Sequence, residues 1–281
     1  LEQLFRRICF AYLSGNGEPL MNSHTIDYVG AVRRRGIPAV LATNGTLLTP
    51  EKGEAVLAND VSYVILPLDG VTKKTYDAIR VNADFDAVVA NITRFLEAKK
   101  RLGKSTFVQL QMISMEQNKH EVKLFPEFVK KLDYHGMVND IRVKPFINFC
   151  RRPSTASRTP AVFSNPCFLL WRNLYVTRTG MAIACSQDSH GQVSIGDFMT
   201  ETLDGIWNSK AMQDLRRLHL EGKGREHPVC DVCDLDQNYF TPVNVLATVP
   251  FNALTLKRNI SLWERYVMLP QRGLRAALGG E

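Results

Sequence analysis

In 281 residues there is no apolar run approaching the roughly 20 that a membrane-spanning helix needs. Nor do the first residues, Leu1 to Arg7, show the charged-then-apolar order of a secretion signal. These absences predict a soluble, cytoplasmic protein with no membrane partner. Cysteine is scarce, six in all, and in a chain of this length without an export signal they do not read as a disulfide scaffold. No Lys/Arg cluster is interleaved with aromatics, so the stacking platform of a nucleic-acid binder is missing although 35 Lys+Arg against 28 Asp+Glu leave a charge of +7. That excess reads as solvated surface at Arg33 to Arg35, Lys99 to Lys104 and the C-terminal tail. The six histidines show no H-x-x-x-H spacing. Three Asn-x-Ser/Thr sequons, at Asn44, Asn91 and Asn259, carry no meaning in a cytoplasmic chain. Charged residues at 22 % and apolar residues at 45 % exclude disordered, collagen-like and coiled-coil chains. What is left is one large domain, or one large and one small, because single cores stop growing near roughly 250 to 300 residues. The first residue is Leu and not Met, which raises the expectation of a longer natural front end.

Up to residue 150, short β-branched or aromatic runs alternate with segments of helical period, the pattern of repeated βα units around a parallel sheet. Phe10 to Leu13, Pro38 to Thr43, Val61 to Leu68, Phe107 to Ile113 and Asp140 to Phe146 read as strands. Thr25 to Arg35, Pro50 to Ala58, Phe85 to Arg101 and a stretch near Glu121 to Leu132 read as helices, the second with Thr49 as N-cap ahead of a first-turn proline. Five strands are too few for a closed eight-stranded barrel. An open partial barrel or a doubly wound sheet fits. From Arg151 to Asn165 the chain is Ser/Thr-rich with Pro153 and Pro160 and no apolar period, which reads as a linker. Beyond it, Leu174 to Thr177 and Met181 to Ala184 flank a Thr179-Gly180 hairpin turn, and Leu203 to Trp207 and Ala211 to Leu220 look helical. The tail after 246 reads as a helical packing arm interrupted by Pro270 and Gly273.

Cys230-Asp231-Val232-Cys233 is a C-x2-C knuckle, whose spacing lets two thiolates reach one metal centre from a single turn. Cys167 and Cys185 bracket the hairpin and are candidates for the other two ligands. Four thiolates suit tetrahedral zinc or a 4Fe-4S cluster equally. The bland alternative is two unrelated buried thiols and a chance knuckle. Cys9, within a strand pattern, and Cys150, at a domain edge, read as small hydrophobes. His227 lies close to Cys230 and reads as an exposed turn residue, with a place beside the metal ligands as the alternative.

Ser14-Gly15-Asn16-Gly17-Glu18-Pro19-Leu20 follows a strand and precedes a helix. It fails as a dinucleotide fingerprint, because Leu20 stands at the third glycine and Thr43-Asn44, not an acid, ends the next strand. Its two glycines permit close backbone approach to a ligand, and Glu18 adds a carboxylate suited to an ammonium group. A tight βα turn with a solvated Glu is the alternative.

Taken together these motifs resemble radical S-adenosylmethionine enzymes. Gly15-Asn16-Gly17-Glu18-Pro19 is similar to their GGEP motif, Ala42-Thr43-Asn44-Gly45-Thr46 to the Thr-Asn-Gly segment ending the next strand, and Leu68-Asp69-Gly70 with Tyr76 and Arg80 to their fourth-strand segment. Cys167, twelve residues, Gly180, four residues and Cys185 resemble the opening of the auxiliary-cluster domain called SPASM, or its shorter twitch form. Gly191, Ile195-Gly196-Asp197, Ile206-Trp207-Asn208-Ser209 and Cys230-x2-Cys233 continue the likeness. The resemblance runs from about Ile8 to Leu235.

It implies an α/β fold: a partial (β/α) barrel of radical SAM type over 1–150, truncated at its N-terminus, a linker over 151–165, a small α+β SPASM/twitch domain over 166–245 and the arm over 246–281. It implies S-adenosylmethionine as cofactor, with Gly15, Asn16, Gly17, Glu18 and Pro19 around the methionine moiety, Glu18 on its amino group, Arg80 on its carboxylate or, equally, in a surface ion pair, and Thr43 and Asn44 at the strand end, where a helix cap or turn is the alternative. Cys167, Cys185, Cys230 and Cys233 would ligate one auxiliary 4Fe-4S cluster completely, leaving it an electron-transfer role. The activity implied is radical modification of a peptide or small-molecule substrate, with a flavodoxin or ferredoxin as reductant. Three positions depart from the family. The C-x3-C-x2-C loop of the catalytic 4Fe-4S cluster is absent from this chain, where 14 residues precede Gly15, so that cluster is expected only with a preceding segment. Pro67 stands in place of the usual Ser, and Tyr239 and Val243 replace the later SPASM cysteines, favouring one auxiliary cluster over two. A chain of this kind that has lost catalysis would remain an iron-sulfur or zinc module binding a peptide partner.

Overall fold

A computed structural model describes residues 8–15, 17–146, 166–186, 188, 191, 193–231 and 233. The expected linker, the C-terminal arm, Asn16, Cys150, Tyr239 and Val243 lie outside the described residues. The chain divides into two compact units, one containing the described residues up to Phe146 and the other those from 166 onward.

The first unit is a five-stranded parallel sheet of β1 (Ala11–Tyr12), β2 (Ala39–Ala42), β3 (Tyr63–Pro67), β4 (Phe107–Ser114) and β5 (Asp140–Pro145) in the order 1-2-3-4-5. Between them run α1 (Thr25–Arg33), α2 (Pro50–Ala58), α3 (Lys73–Ile79), α4 (Phe85–Arg101) and α5 (Phe125–Leu132). A strand order that never reverses, with right-handed crossovers, stacks every helix on one face. This excludes the doubly wound alternative, which needs a reversal point, and matches an arc of a barrel. The helix-side face carries Leu41, Val64, Leu66, Val108, Leu110 and Met112, packed in one core with Val29, Val56, Ile92, Phe95 and Val129 of the helices. Thr49 caps α2 as its sequence position predicts, accepting from Lys52 N at 3.4 Å ahead of the first-turn Pro50.

Two elements differ from the sequence reading. The short helix α3 was not legible as apolar period; it is set by Thr72, whose side chain caps Thr75 N. The helix expected near Glu121 begins only at Phe125, because Glu121 turns inward and takes up Val71 N and the hydroxyls of Thr72 and Thr75 at 2.6 to 2.7 Å. Cys9 is exposed just ahead of β1, so it is no core hydrophobe.

The second unit has an antiparallel sheet of β6 (Tyr175–Val176), β7 (Met181–Ile183) and β8 (Ser194–Asp197), with β6 and β7 forming the hairpin expected around Gly180. Helices α6 (Leu203–Trp207), α7 (Lys210–Leu220) and α8 (Pro228–Asp231) follow. Its core is small: Leu170, Ala182, Ala184, Ile195, Ile206, Met212 and Leu215, with Cys167 and Cys230 packed at its margin. Arg216 pins this core, donating to Leu170 O at 3.0 Å and Trp207 O at 2.9 Å with its guanidinium 4.4 Å over the Trp207 ring.

Candidate cofactor sites

At the C-terminal ends of β1 and β2 the two βα loops are tied together by side chains. Ser14 Oγ accepts from Ala42 N at 2.7 Å, continuing the β1–β2 pairing by one step. Glu18 then bridges the loops: Oε1 accepts from Leu20 N at 3.0 Å and Thr43 Oγ1 at 2.6 Å, and Oε2 from Asn44 N at 2.7 Å. Leu20 N belongs to the 3-10 turn Pro19–Met21, for which Glu18 is the N-cap. Three donors on about four lone-pair sites leave acceptor capacity on Oε2, the atom a cationic ligand would meet. Asn44 Oδ1 accepts from Thr46 N at 3.0 Å, closing the turn, and Gly45 follows at φ +79°, a left-handed conformation that suits glycine. The structure therefore brings Glu18, Pro19, Thr43 and Asn44 to one strand end.

Arg80 lies elsewhere. It caps α3 and sends Nε and Nη2 to Asp69 Oδ2 at 2.9 and 2.5 Å, while Asp69 Oδ1 accepts from Ile113 N at 2.7 Å. Its guanidinium is thus oriented by a buried carboxylate just beyond β3.

The face of the sheet opposite the helices holds residues that the motif search missed. Register places Ala42, Ile65, Gln109 and Asp140 in one row, Pro67, Gln111 and Arg142 in the next, and Ile113 and Lys144 beyond. Gln109 is wholly buried; its Nε2 donates to Asp140, which also pairs with Arg142 Nη2 at 3.0 Å. The buried Oε1 atoms of Gln109 and Gln111 have no hydrogen-bond donor. Burial, then Arg142, lowers the Lys144 pKa, with Asp140 opposing. The signal was present in the sequence as Val-Gln-Leu-Gln-Met and Asp-Ile-Arg-Val-Lys, polar residues at a period of two on strands whose sides are usually both apolar.

In the second unit, burial is the largest influence raising the Cys230 thiol pKa, and Cys185, Cys233 and Cys167 add to it in that order, against Arg225. All four predicted cysteines are therefore electrostatic neighbours. None is in a disulfide. The Cys230-x2-Cys233 turn is knitted by Arg225, whose Nη1 donates to Cys230 O, Asp231 O and Cys233 O at 3.1, 2.9 and 2.9 Å. His227, read from sequence as an exposed turn residue, is half-buried; its carbonyl accepts from Cys230 N and Asp231 N at 2.9 Å, and its buried Nδ1 has no hydrogen-bond partner. His219, which sequence reasoning passed over, is buried among the cysteines, with Cys167 N donating to its Nδ1 at 3.3 Å and Nε2 3.4 Å from Cys230 Sγ. Among the described residues no three His, Cys, Asp or Glu side chains are closed around a single metal ion. Four cysteines that act on one another electrostatically are the donor chemistry that thiolate ligation of an iron-sulfur cluster uses.

An arc of parallel barrel followed by a cysteine-bearing α+β unit defines a two-unit α/β protein of the cluster-dependent class. Family comparison agrees: a model of the Radical SAM superfamily matches residues 2–125, and one of the SPASM iron-sulfur cluster-binding domain matches 167–234. The chain belongs to the radical SAM superfamily and carries a SPASM domain. It is 25 % identical over 153 residues to the S-adenosyl-L-methionine-dependent tRNA 4-demethylwyosine synthase of Pyrococcus horikoshii, covering 54 % of this chain and 43 % of that protein. It is 32 % identical over 121 residues to the AdoMet-dependent heme synthase of Methanosarcina barkeri, covering 43 % of this chain and 33 % of the relative. The chain thus spans less than half the length of these curated relatives. In fold it is similar to native anSMEcpe with bound AdoMet, with a TM-score of 0.57 at 12 % identity over 77 % of this chain and 71 % of that one. Streptococcus suis SuiB gives a TM-score of 0.55 at 12 % identity over 77 % and 59 %. No helix among the described residues is long and apolar enough to cross a membrane.

Proposed function

We propose that this chain binds S-adenosylmethionine at the Glu18 strand end and one auxiliary 4Fe-4S cluster at Cys167, Cys185, Cys230 and Cys233, as part of an enzyme that modifies a peptide or small molecule by radical chemistry. The observation that carries the reading is Glu18, held by three donors from two loops with acceptor capacity left on Oε2. A carboxylate fixed in this way meets a primary ammonium at no further ordering cost. Gly15 and Gly17 give the ligand backbone access, and Thr43 and Asn44 hold Glu18 in place. Arg80 reaches the cofactor carboxylate through a guanidinium already oriented by Asp69. When bound at a catalytic cluster, the cofactor supplies a 5'-deoxyadenosyl radical that removes a substrate hydrogen. The chain's own residues orient the cofactor and shield it within the arc. Because no C-x3-C-x2-C run occurs in the chain, it holds the cofactor without cleaving it when alone. A flavodoxin- or ferredoxin-type protein is the proposed reductant.

The test is calorimetric titration of the reconstituted chain with S-adenosylmethionine. Glu18→Ala is expected to weaken binding at least tenfold while far-UV circular dichroism is unchanged. Equal affinity in the two proteins, or no binding by either, overturns the cofactor assignment and favours the reading as a non-catalytic cluster- or zinc-bearing module.

A further inference from the structure

Among the described residues of the cysteine unit, one buried imidazole has both nitrogens engaged by parts of the cysteine set. His219 is 2 % exposed and sits on α7, outside every cysteine motif. Its Nδ1 lies 3.3 Å from Cys167 N, a backbone group that can only donate, so Nδ1 is the acceptor and the ring proton of the neutral imidazole is on Nε2. That Nε2 is 3.4 Å from Cys230 Sγ, so the N–H points at sulfur. The ring is further held by Gly224, where an added Cβ would come within 2.7 Å of Cε1, 2.8 Å of Nδ1 and 3.0 Å of Nε2. Glycine at 224 is therefore a packing requirement of this imidazole.

We infer that His219 is a positioning residue for the four-cysteine centre: it joins Cys167 to Cys230 and donates an N–H···S hydrogen bond that raises the reduction potential of the bound cluster. The inference rests on the proposed cluster. Hydrogen bonds to ligand sulfur are among the determinants of cluster potential, because added negative charge on reduction strengthens them. One electron enters from the external reductant, no proton leaves His219, and the bond to sulfur shortens without being transferred. The effect follows from donor geometry alone.

The experiment is a redox titration of the iron- and sulfide-reconstituted full chain, followed by electron paramagnetic resonance. His219→Leu keeps the apolar bulk and removes the N–H. It is expected to retain iron and to lower the midpoint by at least the equivalent of a tenfold change in the reduction equilibrium, about 59 mV for one electron. Gly224→Ala, which keeps the imidazole and displaces it, is expected to shift the midpoint in the same direction by less. A His219→Leu midpoint within threefold of the parent overturns the assignment. Should His219→Leu fail to load iron, the unmodified chain with 15N-labelled histidine decides. Its reduced cluster is expected to show coupling to one exchangeable proton and to a histidine nitrogen, and absence of both overturns the hydrogen bond. Four irons with an unchanged midpoint remove His219 only, whereas a chain that binds no iron and sulfide removes the cluster reading and this inference together.

Discussion

In the first unit the candidate ligand group is finished before any ligand is present: Glu18 is fixed by Leu20 N, Thr43 Oγ1 and Asn44 N on the ends of two core strands. In the second unit Cys230 is driven toward its neutral form by burial and by the neighbouring Cys185, Cys233 and Cys167. The first arrangement rests on an apolar core that runs from Leu20 to Leu132, the second on seven buried residues among those described. A small core stabilises little by itself, and bound metal commonly contributes the balance. On the proposed reading, one unit is a preorganised receptor and the other a fold that depends on its bound cluster. That reading also assigns them different responses to the same perturbation.

The largest expected effect is on the second unit. Removing iron with a chelator, or replacing Cys230 by Ala, is expected to abolish hydrogen-exchange protection in β6 to β8 while leaving β2 to β4 protected. Persistent protection of β7 after iron loss would break the comparison, because the small core would then suffice. Next in size, Leu66→Ala, which empties a wholly buried position in the first unit, is expected to cost about 2–5 kcal/mol in denaturant unfolding of that unit. Iron content of the second unit should not change. A smaller effect is expected of Glu121→Ala, which strips Val71 N, Thr72 Oγ1 and Thr75 Oγ1 of a common acceptor at a 2 % exposed position. That loss is about 1–3 kcal/mol.

These perturbations also separate what the sequence made legible from what it did not. The βα alternation, the Thr49 cap and the Gly180 hairpin follow from local rules, so their residues announce them. Glu18, Thr43 and Asn44 were legible as motifs, yet the reason they belong together, a carboxylate shared by loops 25 residues apart, appears only when β1 and β2 pair. The motif left Arg80 between a cofactor carboxylate and an ion pair, and its partner in the structure, Asp69, is one that no spacing announced. His219 was illegible because its meaning depends on Cys167, 52 residues away, and Cys230, 11 residues away, and no spacing rule links a histidine to both. Buried Gln109 and Glu121 were missed for the same reason: polar residues inside an α/β unit are interpretable only with their partners.

The smallest effect tests whether the first unit's preorganisation extends to its buried charges. Burial pushes the Glu121 pKa up, but the bonds from Thr72, Thr75 and Val71 N, with His120 nearby, outweigh it and hold the value below the ordinary glutamate range. A depressed folded value means the carboxylate stabilises the unit fully above its unfolded pKa, roughly 4.3, and loses that contribution as pH falls through the folded pKa. Glu121→Gln keeps one carbonyl for Val71 N and presents its amide to hydroxyls that can turn to accept. It should therefore cost no more than about 1 kcal/mol at neutral pH and flatten the unfolding free energy below pH 4. An acid limb of equal steepness in Glu121→Gln and the parent would show that this buried carboxylate is not held ionised.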